Sequence, residues 1–169
     1  MTLSPPAIDD AIASLTATFP DVTASTYRGQ TRVVVPEPES FEALRHLKEA
    51  GFDLLVDVTC VDYLEYRDAT RRYGLVYLLV NTASTQRLIV RVFVDDPEPT
   101  VRSVVSLWEG ANWLEREVWD LFGIRFAGHP DLRRLVMPEE FTAHPLRKDY
   151  PLQGRGERHN FPVITRDRS

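Results

Sequence analysis

The sequence predicts an α+β fold: a small mixed or antiparallel sheet with helices packed on it, followed by a long extended C-terminal tail. Three observations carry this. The β-patterned stretches Asp53 to Tyr63, Tyr73 to Val80 and Arg87 to Val94 follow one another through short links, the order of an antiparallel meander. Segments with apolar residues at helical spacing flank them. After Gly123 no stretch keeps a period, and Pro130, Pro138, Pro145, Pro151 and Pro162 come too often for regular elements. The predicted organisation is a body over 1–123 and an extended, partner-binding tail over 124–169.

In chain order, Ser4-Pro5-Pro6 is a helix start, and Ile8, Ile12, Leu15 and Phe19 keep one face apolar until Pro20. Thr23 to Arg28 and Thr31 to Val35, parted by Gly29-Gln30, read as a hairpin closed by Pro36 and Pro38. Ser40 is placed to cap a second helix with Phe41, Leu44 and Leu47 inward and Gly51 at its end. Alternation then puts Leu54, Val56, Val58 and Cys60 on one face of a half-buried strand and Asp53, Asp57 and Thr59 on the other. Tyr73 to Val80 is apolar throughout, as for a strand covered on both faces. In the next strand Leu88, Val90, Val92 and Val94 share a face opposite Arg87 and Arg91. Thr100 is a helix cap for a stretch through Val101, Val104 and Val105, which Gly110 interrupts. Asn112 and Glu115 have capping-box spacing, and Leu114, Val118 and Leu121 make the stripe of a stronger helix that Gly123 stops.

The chain has 169 residues, 43% of them hydrophobic and 27% charged, the balance of a globular domain with one core. The longest apolar run, Leu75 to Val80, is far shorter than the roughly 20 residues of a membrane span. Met1 to Asp10 carries no basic residue, unlike a secretory or transit leader, so a cytoplasmic chain is expected. The single cysteine, Cys60, cannot form an internal disulfide or hold a cluster alone. Net charge is −5: residues 1–132 carry −8 and residues 133–169 carry +3. An acidic body with spaced basic residues in a Pro-interrupted tail argues against nucleic-acid binding.

Catalytic patterns are sparse. His46, His129, His144 and His159 are dispersed, without a paired metal-ligand spacing, and His129-Pro130 and His144-Pro145 read as matched turns. Glu115, Glu117 and Asp120 invite an acid–base reading, but Arg116 lies four residues before Asp120, and a structural charge network accounts for the group better. A free-standing enzyme would have to use Glu117, Asp120 and His129. Serine-hydrolase elbows and phosphate-binding glycine loops are absent from the sequence. Trp108, Trp113, Trp119 and Phe122 gather around the last helix, as in a core or interface. The tail also holds Leu135, Val136, Phe141, Leu146, Tyr150 and Leu152, too apolar for a solvated linker.

Two segments carry a resemblance. Glu115-Arg116-Glu117-Val118-Trp119-Asp120-Leu121-Phe122-Gly123-Ile124 precedes Gly128-His129-Pro130-Asp131-Leu132-Arg133-Arg134-Leu135, and further on stand Met137-Pro138-Glu139 and His144-Pro145-Leu146-Arg147-Lys148-Asp149-Tyr150-Pro151. This pattern, about 40 residues long, resembles the C-subunit family of NADH-quinone oxidoreductase, respiratory complex I. The resemblance implies a scaffolding subunit of the peripheral arm, without catalytic residues or cofactors of its own; flavin and iron–sulfur clusters are expected in partner subunits. Its implied partners are other complex I subunits, especially the D subunit, with the B and I subunits nearby. Its implied location is peripheral, on the cytoplasmic side of the cell inner membrane, with membrane association through the complex. The equivalent subunit of a membrane-bound hydrogenase or another donor:quinone complex is the alternative. For the residues, the resemblance implies that Glu115, Arg116, Glu117 and Asp120 fix the last helix against the tail. Gly123 and Gly128 permit the turns that launch it, and His129 redirects it. Arg133, Arg134, Arg147 and Lys148 contact the partner, with Leu146, Tyr150 and Leu152 as anchors, and His144 belongs to the same pattern.

Overall fold

A computed structural model describes residues 8–156. Helix α1 (Ile8–Thr18) buries Ala11 and Leu15; the start expected at Ser4 lies outside the described residues. Strands β1 (Thr23–Tyr27) and β2 (Gln30–Val35) form the expected antiparallel hairpin, turning through Arg28 and Gly29, both at positive φ as such two-residue turns require. A short 3₁₀ turn (Glu37–Glu39) follows, then α2 (Ser40–Glu49). Ser40 is not the expected cap: it is the first helical residue, buried, because the 3₁₀ turn has already brought the chain into helical geometry. Phe41, Leu44 and Leu47 are buried as the spacing predicts.

Strands β3 (Leu54–Asp62), β4 (Tyr73–Asn81) and β5 (Gln86–Val94) make the meander. The pairing of β3 with β4 slips between Leu55 and Asp57. This bulge splits the predicted face: Val58 and Cys60 are buried, but Leu55 is the inward residue before the slip, while Leu54 and Val56 are exposed. β2 joins β5 in parallel, giving the sheet order β1-β2-β5-β4-β3. The helices and the inner-face residues Val33, Val90, Leu75 and Tyr77 form one core. β4 is therefore covered on one face, not both: Val76, Leu78 and Val80 stay partly exposed.

The helix expected from Thr100 to Val105 is instead β6 (Thr100–Arg102), which pairs in parallel with β7 (Arg125–Ala127). Between them α3 (Ala111–Phe122) packs against β3. Its N-cap position is Gly110, with no side-chain cap; the predicted Asn112–Glu115 box does not form because Glu115 turns into the core. Gly123, left-handed at φ 78°, closes α3 as expected. The body continues past it, since Ile124 and Phe126 are buried in the same core. Residues 124–127, assigned to the tail by sequence, thus belong to the body. From Gly128 to Gly156 the chain runs through turns and bends without helix or strand.

Candidate functional site

Asp120 and Arg116 stand one turn apart on α3, and the i,i+4 spacing invites a pair between them. They face the tail instead. Arg116 donates from Nε to the Arg133 carbonyl at 3.1 Å and from Nη2 to the Arg134 carbonyl at 3.0 Å. One Asp120 oxygen accepts three consecutive backbone N–H groups, from Leu135 (3.0 Å), Val136 and Met137 (both 2.8 Å); the other pairs with Arg134. Five successive tail residues are therefore held by two side chains of one helix, through their backbone groups. Burial opposes ionisation of Asp120, but the three N–H donors and Arg134 outweigh it and keep the carboxyl below its usual range.

His144 continues the contact along α3. Its Nδ1 lies 2.9 Å from the Asp120 carbonyl, its ring meets Trp119 edge-on, and the Leu146 N–H donates to the Leu121 carbonyl at 3.0 Å. Desolvation, with Arg134 and Arg147 nearby, lowers the His144 pKa, so the ring is neutral and donates to that carbonyl. A Cβ on Gly123 would stand 2.7 Å from this ring, so glycine is needed for both its φ and its clearance.

A second cluster ties the tail to the strand ends. Arg72, in the loop just before β4, pairs with Asp62 at 3.1 Å and Asp149 at 2.8 Å, and also with Asp96. Arg147 pairs with Asp96 at 3.1 Å and Asp149 at 3.4 Å, and both guanidinium groups stack on Tyr73. Asp62 also accepts the Lys148 N–H at 2.8 Å. Desolvation works against charge on Asp62 and Asp149, yet the hydrogen bonds from Arg72 lower both, while the carboxylates raise Arg72. Sequence reasoning missed Asp62, Arg72 and Asp96. Asp62 carried a signal, a carboxylate on the inward face of β3 in register with Val58 and Cys60. Arg72 and Asp96 sit in loops where charge is ordinary.

α3 itself carries another buried carboxylate. Glu115 accepts the Ser103 hydroxyl at 2.6 Å and the Val104 N–H at 2.7 Å, with His129 Nε2 at 4.0 Å. Burial pushes its pKa up to about 7 against those two hydrogen bonds. His129 Nδ1 accepts the Asp131 N–H, so its Nε2–H donates to the Asn112 carbonyl at 3.1 Å. This locks the turn that launches the tail.

Of the residues expected to reach a partner, Arg134 and Arg147 turn inward to Asp120, Asp96 and Asp149, because those carboxylates lie within reach. Arg133 is exposed and pairs with Asp131, and Lys148 has an exposed side chain. Tyr150 meets Phe141 edge-on. Glu117 is exposed. Glu117, Asp120 and His129 are not gathered into a shared constellation: Asp120 is saturated by the tail, and His129 is engaged by Asn112 and Asp131. Among the described residues no three His, Cys, Asp or Glu groups are arranged to hold a metal ion, and no helix is long and apolar enough to cross a membrane.

Known proteins share this chain's pattern. The family described as respiratory-chain NADH dehydrogenase, 30 Kd subunit, matches residues 33–156, a range that contains both tail-anchoring clusters. NADH-quinone oxidoreductase subunit 5 of Thermus thermophilus is 46% identical over 130 residues, 73% of this chain and 63% of that protein, so the chain spans under two thirds of this relative. The C subunit of the Acidithiobacillus ferrooxidans NADH-quinone oxidoreductase is 47% identical over 142 residues, 80% of this chain and 70% of its own. Among solved structures, the trypsin-resistant fragment (1–134) of Nqo5 is 37% identical with a TM-score of 0.68, covering 74% of this chain and 98% of that one. A chain of the membrane-bound sulfane sulfur reductase, an archaeal respiratory membrane complex, has a TM-score of 0.76 over 95% of both chains at 21% identity, a likeness of fold alone. With the match running through α3, the Asp120 nest and the Asp62–Arg72 cluster, the chain belongs to the family of the 30 Kd subunit of respiratory-chain NADH dehydrogenase.

Proposed function

We propose that the chain is a scaffolding subunit of the peripheral arm of a proton-translocating NADH:quinone oxidoreductase. It sits on the cytoplasmic side of the inner membrane and supports electron transfer from NADH to quinone without catalytic residues of its own. Flavin and iron–sulfur clusters belong to its partners, of which the D subunit receives the tail, with the B and I subunits nearby. The observation that carries this reading is that the family match covers a region whose buried charged groups hold the chain's own tail. Asp120, Arg116, Asp62 and Arg72 are consumed in fixing a surface, which is the work of a scaffold. On that surface Leu135, Val136, Leu146 and Leu152 remain exposed, from 38% to 107%, as apolar anchors of the kind a protein interface covers. Cys60 fits the same reading, as burial pushes its thiol up to about 12, far from a cluster-binding thiolate.

The test is recovery of the tagged chain from membranes in mild detergent, with mass spectrometry and an NADH:quinone assay. Co-purification of NADH-binding, flavin and iron–sulfur subunits with NADH-driven quinone reduction supports the reading. The fold shared with the sulfane sulfur reductase chain favours, as a second reading, the equivalent position in a complex with another electron donor or acceptor. Recovery of hydrogenase or sulfur-reducing subunits selects it. A chain recovered alone, with turnover abolished by Glu117→Gln, overturns both.

A further inference from the structure

The helices and core occupy one face of the five-stranded sheet, and the opposite face is left open by the described residues. The register places Val76, Leu78 and Val80 of β4 there, beside Ile89 and Phe93 of β5 and Val61 of β3. All six are partly or largely exposed, and none packs against the core. Along β5 these apolar residues alternate with Arg87 and Arg91, and Arg32 of β2 lies beside Ile89, so the basic groups occupy the β5–β2 side of the face. No carboxylate pairs with these three among the described residues, whereas seven other arginines each have one. Arg32 Nε is buried without a hydrogen-bond partner. Asp57 is the one acidic side chain that the register puts on this face. In a body of net charge −8 the sign is locally reversed. At one end, Tyr63, Tyr66, Asp68, Arg71, Arg91 and Phe93 border a notch of about 300 Å³.

We infer that the open sheet face is a docking surface for an amphipathic helix of another protein, whose apolar stripe lies over β3 and β4 with Ile89 and Phe93 of β5, and whose carboxylate-rich flank lies over Arg32, Arg87 and Arg91. This goes beyond the proposed scaffold role of the tail and does not depend on it. An apolar sheet face needs a covering layer, and on the inner face helices supply it. Three adjacent strands are roughly 10 Å across, about the diameter of one helix. Nine-residue strands run roughly 30 Å, enough for a helix of about 20 residues. The notch accepts a bulky side chain from that helix, between aromatic rings and an arginine, the residue types that anchor interfaces. Charge selects the partner: a second copy would set these arginines against a like face whose carboxylates are Asp57 and, in the notch, Asp68, too few to match them, an unfavourable juxtaposition.

The experiment uses the full chain in its detergent-solubilised native assembly, which removes lipid bilayer as a covering surface. Thr59→Cys, exposed on this face beside Val76, is titrated with a water-soluble maleimide in the assembly and in the purified chain. At least tenfold slower labelling in the assembly is expected. A photo-crosslinking residue at Val80 is expected to capture a peptide that mass spectrometry reads as an acidic amphipathic helix. Arg32→Glu with Arg87→Glu is expected to cut that crosslink at least tenfold at unchanged Tm and circular dichroism. Equal labelling rates, a crosslink to a second copy of this chain, a captured peptide that is basic or not amphipathic, or a crosslink that survives charge reversal each overturn the inference.

Discussion

At the scale of single residues, the chain uses two buried carboxylates in opposite ways. Asp120 meets four donors and stays charged; Glu115 meets a hydroxyl and one N–H in a drier place, and its pKa rises to about 7. Because that value lies above the unfolded 4.5, the folded state holds a proton that the unfolded chain releases between pH 4.5 and about 7. Stability from this residue is complete below 4.5 and falls as pH rises through that window, by about 3 kcal/mol, then levels off. Glu115→Gln, which keeps the shape and cannot ionise, is expected to flatten that slope in urea titrations at pH 5, 6 and 7. A slope unchanged by the substitution would assign the pH dependence elsewhere. Asp120→Ala acts differently: it strands three N–H groups and Arg134, at about 3 kcal/mol. For a chain of this size that is a Tm lower by roughly 6–12 °C, with amide exchange of residues 135–137 accelerated first. An unchanged exchange rate there would mean that the nest is held by something other than Asp120.

At the scale of elements, the end of α3 couples a backbone requirement to a packing one. Gly123 and Gly128 both lie at positive φ, but a Cβ on Gly123 meets the His144 ring while one on Gly128 meets nothing within 4 Å. Each alanine adds left-handed strain of about 1–3 kcal/mol, and Gly123→Ala additionally displaces His144. Thermal melts are expected to rank Gly123→Ala below Gly128→Ala, with loss of protection at the Leu146 N–H in the first variant alone. Equal Tm values would show that His144 yields freely. The same contrast between local and distant causes explains what could be read from sequence. α2, α3 and the meander were legible, because periodicity is written in adjacent residues such as Phe41, Leu44 and Leu47. β6 was not: Thr100–Arg102 is a strand only because Arg125–Ala127 returns beside it across α3. The slip at Leu55–Asp57 escaped because a bulge is set by the partner strand. Within the site, the α3 and tail residues were visible as a family pattern, but which of them meet was not, since Arg134 is drawn to Asp120 by the fold of the tail rather than by spacing.

At the scale of the whole molecule, the tail is fastened by two clasps of different physical character. At the Asp120 clasp the carboxylate is fully buried and Arg134 is 13% exposed; the second clasp has an equally buried pair in Arg72 and Asp62, but its outer carboxylates Asp96 and Asp149, which Arg147 also holds, are 36% and 46% exposed. Salt near 1 M shrinks the screening length to about 3 Å and acts mainly on exposed pairs. Hydrogen exchange in 1 M sodium chloride is therefore expected to lose protection at the Tyr150 N–H, which donates to the Arg147 carbonyl in the turn held by the exposed pairs of Arg147 with Asp96 and Asp149, while the N–H groups of Leu135, Val136 and Met137 keep theirs. If both groups of amides open together, the tail is a single cooperative unit and the two clasps are one. If they separate, residues 144–150 can lift from the strand ends while 133–137 stay seated on α3. A partner can then capture the exposed apolar side chains of the outer segment without unfolding the body, and the ordering entropy it must offset is confined to the part beyond the first clasp.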